Sequence, residues 1–418
     1  MNSMRLRIQK YWNTAALLAV FLLWSLPGAG QNAMEVFDVS NSGIPDNAVR
    51  ALEMEGQGVL WVGTDWGLAK KDGGTWTVYQ SGSSGLPGNF VRALELEGDS
   101  AVWVGTFTGG LARFNGSAWT VYDEQNSPLP SNHVRALAWG SGGELWIGTV
   151  GGLVRKNGNN WKVYDFLADG FESNNVISLF PEGPDTCWAG MVNGGLFHIE
   201  DTSITSMTIS NSGIPDNTIA GIVIDSGNDL WCATPARGLA YNQNGVWLNY
   251  SIFNSDNPTN TLNAVALDAA ENVWSASIDQ GVIFYDRSNF RKFDPSNSGI
   301  PEANVRCLLM DTATGKLWGG TNSAGLFVMD TGLALERKEN EVQQLRAFPN
   351  PNSGVFQVDL GGEWRGGELE VRDLNGRLMH RERVGQGKWR VEADLRPGYY
   401  VLRLQKGNVV AQGPVIVR

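Results

Sequence analysis

Ile44-Pro45-Asp46-Asn47-Ala48-Val49-Arg50-Ala51-Leu52, followed by Leu60-Trp61-Val62-Gly63-Thr64 and then Gly67-Leu68, is a unit that returns seven times along the chain. Each return has an Asn-x-Val-like start, a short apolar run, a turn, an x-Trp-x-Gly-Thr-like run and a Gly-Leu step into a third run. The central tryptophans are Trp61, Trp103, Trp146, Trp188, Trp231, Trp274 and Trp318, spaced 42, 43, 42, 43, 43 and 44 residues apart. A period of this length, built from short β-rich runs between Gly, Asn, Asp and Ser turns, reads as a propeller blade rather than a helical array. Composition agrees. Of 418 residues 52 are Gly and only 18% are charged, while 17 Trp and 16 Phe supply much of the apolar surface, which excludes an all-helical fold.

Strands A to D, numbered outward from the axis, read in the first unit as Val49 to Leu52, Leu60 to Gly63, Gly67 to Ala69 and Trp76 to Tyr79. Strand D recurs at Trp119 to Tyr122, Trp161 to Tyr164 and Trp247 to Tyr250, and more loosely at Ile204 to Ile209 and Phe290 to Phe293. The seventh unit has A, B and C but no D, whereas Glu35 to Val39 stands where a D strand precedes every other unit. The count balances only if this N-terminal strand completes the last blade and closes the ring, leaving no sheet edge unpaired. The pivot tryptophans are then wedges between sheets.

Residues 1–30 carry Arg5, Arg7 and Lys10, an apolar run from Ala15 to Leu26 and small residues up to Gly30, the pattern of a secretory signal peptide. That run is too short to span a bilayer, and no later run is longer. Removing its three cations takes the net charge from -11 to -14. Residues 31–340 hold 17 basic and 34 acidic side chains, against 12 and 9 in residues 341–418, a shift that marks two domains. The acidic main domain argues against nucleic acid or an anionic membrane as its partner. After a charged stretch around Glu336 to Glu341, a second β pattern begins: Val355 to Val358, Leu369 to Arg372, Trp389 to Val391 and Tyr399 to Leu404. The expected organisation is all-β: signal peptide 1–30, a seven-bladed β-propeller 33–330 closed by an N-terminal strand, linker 331–345 and a small C-terminal β-sandwich 346–418.

The repeated residues resemble the two-component regulator propeller repeat. In that family the repeats usually form extracytoplasmic sensors of hybrid histidine kinases, often as paired propellers that sense glycan fragments; this chain has one ring of repeats and no kinase. The tail resembles the type A C-terminal sorting domain of the type IX secretion system, through Pro349-Asn350-Pro351, Asp373-Leu374-Asn375-Gly376-Arg377, Pro397-Gly398-Tyr399-Tyr400-Val401 and the end Val415-Ile416-Val417-Arg418. The resemblance implies the type IX machinery as a partner, and a secreted or outer-membrane-surface location. A β-sandwich that merely follows the propeller is the alternative reading of the tail.

Catalytic patterns are scarce. His133, His198 and His380 form no pair with metal-ligand spacing, and there is neither a nucleophile elbow nor a phosphate-binding glycine loop. Cys187, Cys232 and Cys307 read as small buried residues. Asp225 to Asp229 and Asp311 to Gly315 resemble calcium loops faintly and hairpin turns better. No cofactor or metal is expected.

The functional clue lies at the funnel. Just inside strand A the units carry Arg50, Arg92, Arg135, Ile177, Ala220, Asn263 and Arg306, so ring closure makes Arg306, Arg50, Arg92 and Arg135 an unbroken arc. The B-to-C loops add Asp65, Trp66 and Phe107, and His133 stands at the start of the third strand A. Arginine beside exposed aromatics suits a carboxylated or sulfated glycan, or an acidic peptide. The competing reading gives the arginines to blade-to-blade hydrogen bonding and Trp66 to covering a blade edge. The expected function is non-catalytic glycan binding by a monomer outside the cell. A surface adhesion or protein-interaction scaffold and a propeller-type lyase are the alternatives.

Overall fold

The computed structural model describes residues 34–56, 58–332, 343–344, 347–348, 355–360, 365–373, 377–385, 387–406 and 409–417. The expected signal peptide lies outside them, as do Pro349-Asn350-Pro351 and Leu374-Asn375-Gly376. Seven four-stranded antiparallel sheets follow one another. Blade 1 is Val49–Glu55, Val59–Thr64, Gly67–Asp72 and Thr75–Tyr79. The strands A of blades 2 to 6 are Val91–Leu96, Val134–Trp139, Val176–Gly183, Gly221–Ile224 and Leu262–Leu267. Blade 7 is Val305–Asp311, Lys316–Thr321 and Leu326–Asp330, completed by the N-terminal Met34–Phe37, which pairs antiparallel with Leu326–Asp330. The ring closes as the sequence predicts.

The x-Trp-x-Gly-Thr run explains itself locally. A Cβ on Gly63 would lie 2.6 Å from Val91, and one on Gly105 2.6 Å from Val134, so the missing side chain lets each strand B meet the first residue of the next strand A. Gly320 makes the same approach to Val49, 2.5 Å from its hypothetical Cβ, and thereby locks the last blade to the first. The following threonine is fully buried and bonds across the B-to-C turn: Thr64 Oγ1 to the Gly67 carbonyl at 2.8 Å, Thr321 Oγ1 to that of Gly325 at 2.8 Å. All seven pivot tryptophans are buried in the clusters between sheets.

An indole buried this way needs a partner for its N–H. Five blades supply an acid six residues earlier, at the end of strand A or just past it: Glu55 to Trp61 at 2.8 Å, Glu97 to Trp103 at 3.0 Å, Glu182 to Trp188 at 3.2 Å, Asp225 to Trp231 at 3.0 Å and Asp268 to Trp274 at 2.9 Å. Asp225 also accepts the N–H groups of Gly227 and Asp229, so its segment is a hairpin turn. His198 lies within strand C of blade 4 (Leu196–Glu200), stacked on Trp188 and bonded to Glu182 at 2.9 Å. Cys187 and Cys232 are buried and Cys307 half-buried, all unpaired as thiols, with burial pushing each thiol pKa up.

The C-terminal unit is a sandwich of a five-stranded sheet and a three-stranded sheet. Its core includes Phe356, Val358, Leu369, Val371, Val391, Leu402 and Val415. Gln343–Gln344, the end of the expected linker, pairs in parallel with Val409–Val417 in the larger sheet.

Candidate functional site: the basic half of the funnel

Three repeat positions converge at the mouth of six blades; the fifth has Pro235, which has no N–H, at the loop position. The backbone N–H of the first B-to-C loop residue donates to the carbonyl just before strand A: Asp65 to Ala48, Phe107 to Phe90, Val150 to His133, Val192 to Asn175, Ile278 to Thr261 and Asn322 to Asn304, at 2.9 to 3.2 Å. Between them stands the second residue of strand A, and there the A–B register shifts in six blades, between Val49 and Ala51, Val91 and Ala93, Val134 and Ala136, Val176 and Ser178, Leu262 and Ala264, and Val305 and Cys307. Arg50, Arg92, Arg135, Ile177, Asn263 and Arg306 are the residues skipped by the ladder. A bulge frees a side chain from the alternation of its strand and re-aims it.

The arc of four arginines is therefore contiguous, but its members differ in what holds them. Arg50 grips Asp65 with both Nε (2.7 Å) and Nη2 (2.6 Å) and reaches Asn322 with Nη1 (3.1 Å). Arg306 donates from Nε to the same Asn322 oxygen at 3.2 Å. Arg135 donates to Asn175 at 2.8 Å. Arg92 makes no hydrogen bond or ion pair among the described residues, and its Nε is buried without a partner. Its guanidinium lies over Phe90 (4.6 Å) and Phe107 (5.7 Å), and Phe107 meets the His133 ring edge-on at 3.6 Å.

Electrostatics follow from this packing. The Asp65 hydrogen bonds hold Arg50 above its ordinary pKa. Burial, then the guanidinia of Arg50 and Arg135, push Arg92 down; burial, then Arg135 and Arg92, push His133 down. Trp66, beside Asp65, is 59% exposed and Phe107 37%. All eight sequence-selected residues thus lie on the same mouth, on blades 7, 1, 2 and 3. The hydrogen bonds of Arg50 to blade 7 and Arg135 to Asn175 accord with the blade-to-blade reading for those two, whereas Arg92 has no such bond. Sequence reasoning missed Phe90, Asn175 and Asn322. For the positions of Phe90 and Asn175, though not for what they touch, a signal was present, because Ala48, Phe90, His133, Asn175, Thr218, Thr261 and Asn304 occupy one column of the repeat. Among the described residues no cluster of three or more metal-ligating side chains occurs.

Comparison with known proteins bears on both units. Residues 346–418 match the secretion system C-terminal sorting domain, and residues 128–151 the two component regulator propeller. The chain carries a propeller of that repeat type and a type IX sorting tail. No curated protein matches it. Among solved structures it is similar to PorZ, a bacterial surface component of the type IX secretion system of Porphyromonas gingivalis (TM-score 0.58, 16% identity, 92% of this chain and 61% of that one). It is also similar to the extracellular domain of the putative hybrid two component system BT3049 of B. thetaiotaomicron (0.62, 18%, 91% and 54%) and to virginiamycin B lyase from Staphylococcus aureus (0.58, 14%, 71% and 99%). The chain spans little more than half the length of the first two. At these identities the likeness shows the fold. The sorting domain implies secretion to the cell surface or beyond and an interaction with the type IX machinery. No helix among the described residues is long and apolar enough to cross a membrane.

Proposed function

We propose that this is a non-catalytic binding protein of the cell surface or extracellular space, and that its ligand is a glycan held at the basic half of the propeller funnel. One observation carries the reading: Arg306, Arg50, Arg92 and Arg135 line one side of the mouth beside exposed Trp66 and Phe107, while the opposite side presents Ile177, Ala220 and Asn263. A flat, exposed ring next to fixed polar donors is the usual composition of a sugar platform. A glycan array probed with the wild type, Trp66→Ala and Arg92→Ala tests it. Binding lost in both variants, with no product released from the bound sugar, supports the reading; turnover of that sugar moves the protein to the lyases.

A second reading rests on a separate surface. Ile209, Ile252 and Phe253 on the D-to-A loops around blade 5, with Val246 and Leu248 on its outer strand Val246–Tyr250, are exposed, Phe253 to 80%. Exposed apolar side chains on one blade and its flanking loops suit a protein partner, as an adhesion scaffold requires. A silent glycan array with a defined extracellular protein captured intact, and lost in Phe253→Ser, favours that role.

A further inference from the structure

The four arginines divide into three that are already matched and one that is not. Arg50 is paired in a fork with Asp65, and Arg306 and Arg135 each give a nitrogen to an asparagine. Arg92 is left with aromatic faces only. Three further cations, Arg50, Arg135 and Arg306, act on it, and Asp65 is the one carboxylate that opposes them. Asp46 acts on Arg50 and Glu302 on Arg306. A half-buried guanidinium whose Nε is sealed from solvent and whose face is covered by Phe90 presents only its terminal nitrogens. That end-on edge matches two oxygens of one oxyanion. An arriving anion would neutralise charge at a place where the fold has left it uncompensated, which makes the contact worth more than an exposed ion pair.

Resting on the reading of the funnel as a glycan site, we propose that the sector formed by blades 1 to 3 is a subsite for a sugar bearing a single oxyanionic group, carboxylate or sulfate, with Arg92 as its charge contact and Trp66 and Phe107 as its ring surface. Asp65 sets the charge limit. By holding Arg50 it leaves Arg92 as the sector's one guanidinium with no hydrogen-bond partner among the described residues and keeps a carboxylate nearby, so the subsite favours a singly charged sugar over a densely charged polyanion.

Titration calorimetry on the full chain tests this with six probes: a neutral oligosaccharide carrying one galacturonic acid residue, its methyl ester, a monosulfated galactan oligosaccharide, a heparin-type oligosaccharide, a neutral β-glucan hexaose and a polyglutamate peptide. The mono-galacturonate or the monosulfated galactan should bind, and which of the two does so identifies the oxyanion. The ester and the neutral hexaose should bind at least about tenfold more weakly than their charged counterpart. Arg92→Gln should weaken the charged probe about 10- to 100-fold with little change in Tm, while Arg92→Lys keeps part of the affinity. Asp65→Asn should shift preference toward the heparin-type probe.

The ester comparison uses the wild type alone and survives any folding defect in the variants. Equal binding of acid and ester, or neutral sugars bound with Arg92→Gln silent, overturns the charge inference and leaves the glycan reading standing. A heparin-type oligosaccharide preferred by the wild type overturns the single-charge limit. Polyglutamate bound through Arg92 while every saccharide is silent, or silence of all six probes, overturns both.

Discussion

At the residue scale the fold depends on carboxylates that the repeat places for two opposite purposes. Those six residues before a pivot tryptophan are used as ions or acceptors. Asp225 satisfies the indole of the fully buried Trp231, two backbone N–H groups and Arg287 at 3.0 Å. Asp225→Ala should therefore destabilise the propeller by about 2–4 kcal/mol in denaturant titration, since it strands several buried donors together. Asp311 is the contrasting case. One extra residue separates it from Trp318, whose Nε1 has no partner, and its carboxylate serves only its own exposed turn. Asp311→Ala should cost less than half as much. Blade 3 departs differently: Gly140 stands where the acid belongs, and Glu144 fills the space, its Oε1 1.9 Å from where a Gly140 Cβ would lie. Glu53 and Glu95, by contrast, sit in mid strand A of adjacent blades. Burial raises Glu53 to about 7; burial, then the Glu53 charge, raises Glu95 to about 8. In this case the folded state binds more protons than the unfolded chain above the ordinary carboxylate range, so stability falls as pH rises from about 4.5 through 8 and levels off beyond. Glu53→Gln combined with Glu95→Gln should flatten that decline and raise stability at pH 8.5 by about 1–3 kcal/mol. An unchanged pH profile of Tm would show that neither carboxyl titrates late.

At the element scale the D-to-A connections are held by a device that the Asn-x-Val motif announces without explaining. The Asn side chain accepts the N–H of the second loop residue, or of the third in the loop after blade 3: Asn47 from Val39 at 2.9 Å, Asn89 from Ser81 at 2.8 Å, Asn132 from Glu124 at 2.9 Å, Asn174 from Leu167 at 3.0 Å, Asn217 from Ile209 at 2.8 Å and Asn260 from Ile252 at 3.0 Å. The seventh loop has Pro295, which has no N–H, and correspondingly Ala303 in place of the acceptor. Asn217→Ala should cost about 1 kcal/mol, whereas Ala303→Asn should gain nothing, and a pair of thermal melts separates the two. Strand positions, blade number and closure were legible in the sequence because period and apolar alternation are properties of the chain itself. The arginine arc was legible for the same reason, once the ring was closed on paper. What each arginine touches was not, because Asp65, Asn175 and Asn322 reach them across loops or from a neighbouring blade. The bulge that re-aims them leaves no mark in composition. Short outer strands such as Ser203–Met207 and the sandwich strand Leu378–Arg383 were misplaced or missed, since half-exposed strands carry little apolar signal, and Val409–Val417 was missed because Gly413-Pro414 interrupts its apolar run.

At the scale of the whole molecule, the two units have separate cores. Among the described residues no hydrophobic cluster mixes sandwich residues with propeller residues, and the charge balance changes sign between them. Within the propeller the ends of the chain meet at Phe37, which lies 5.8 Å from the ring of Trp76 in blade 1 and 6.1 Å from that of Trp318 in blade 7. Phe37→Ala should open this seam at a cost of about 3–5 kcal/mol, while an equivalent loss in the sandwich should leave the propeller transition untouched. Deleting residues 346–418 separates folding from delivery. If the tail acts only as the address, the truncated chain should keep the cooperative melt of the propeller and its ligand affinity, yet accumulate in the periplasm when expressed in its own secretion background. Fractionation with surface proteolysis reads the outcome. Truncated protein displayed outside the cell would mean that export information resides in the propeller, and a lost propeller melt would mean that the two cores, separate in space, are coupled in folding.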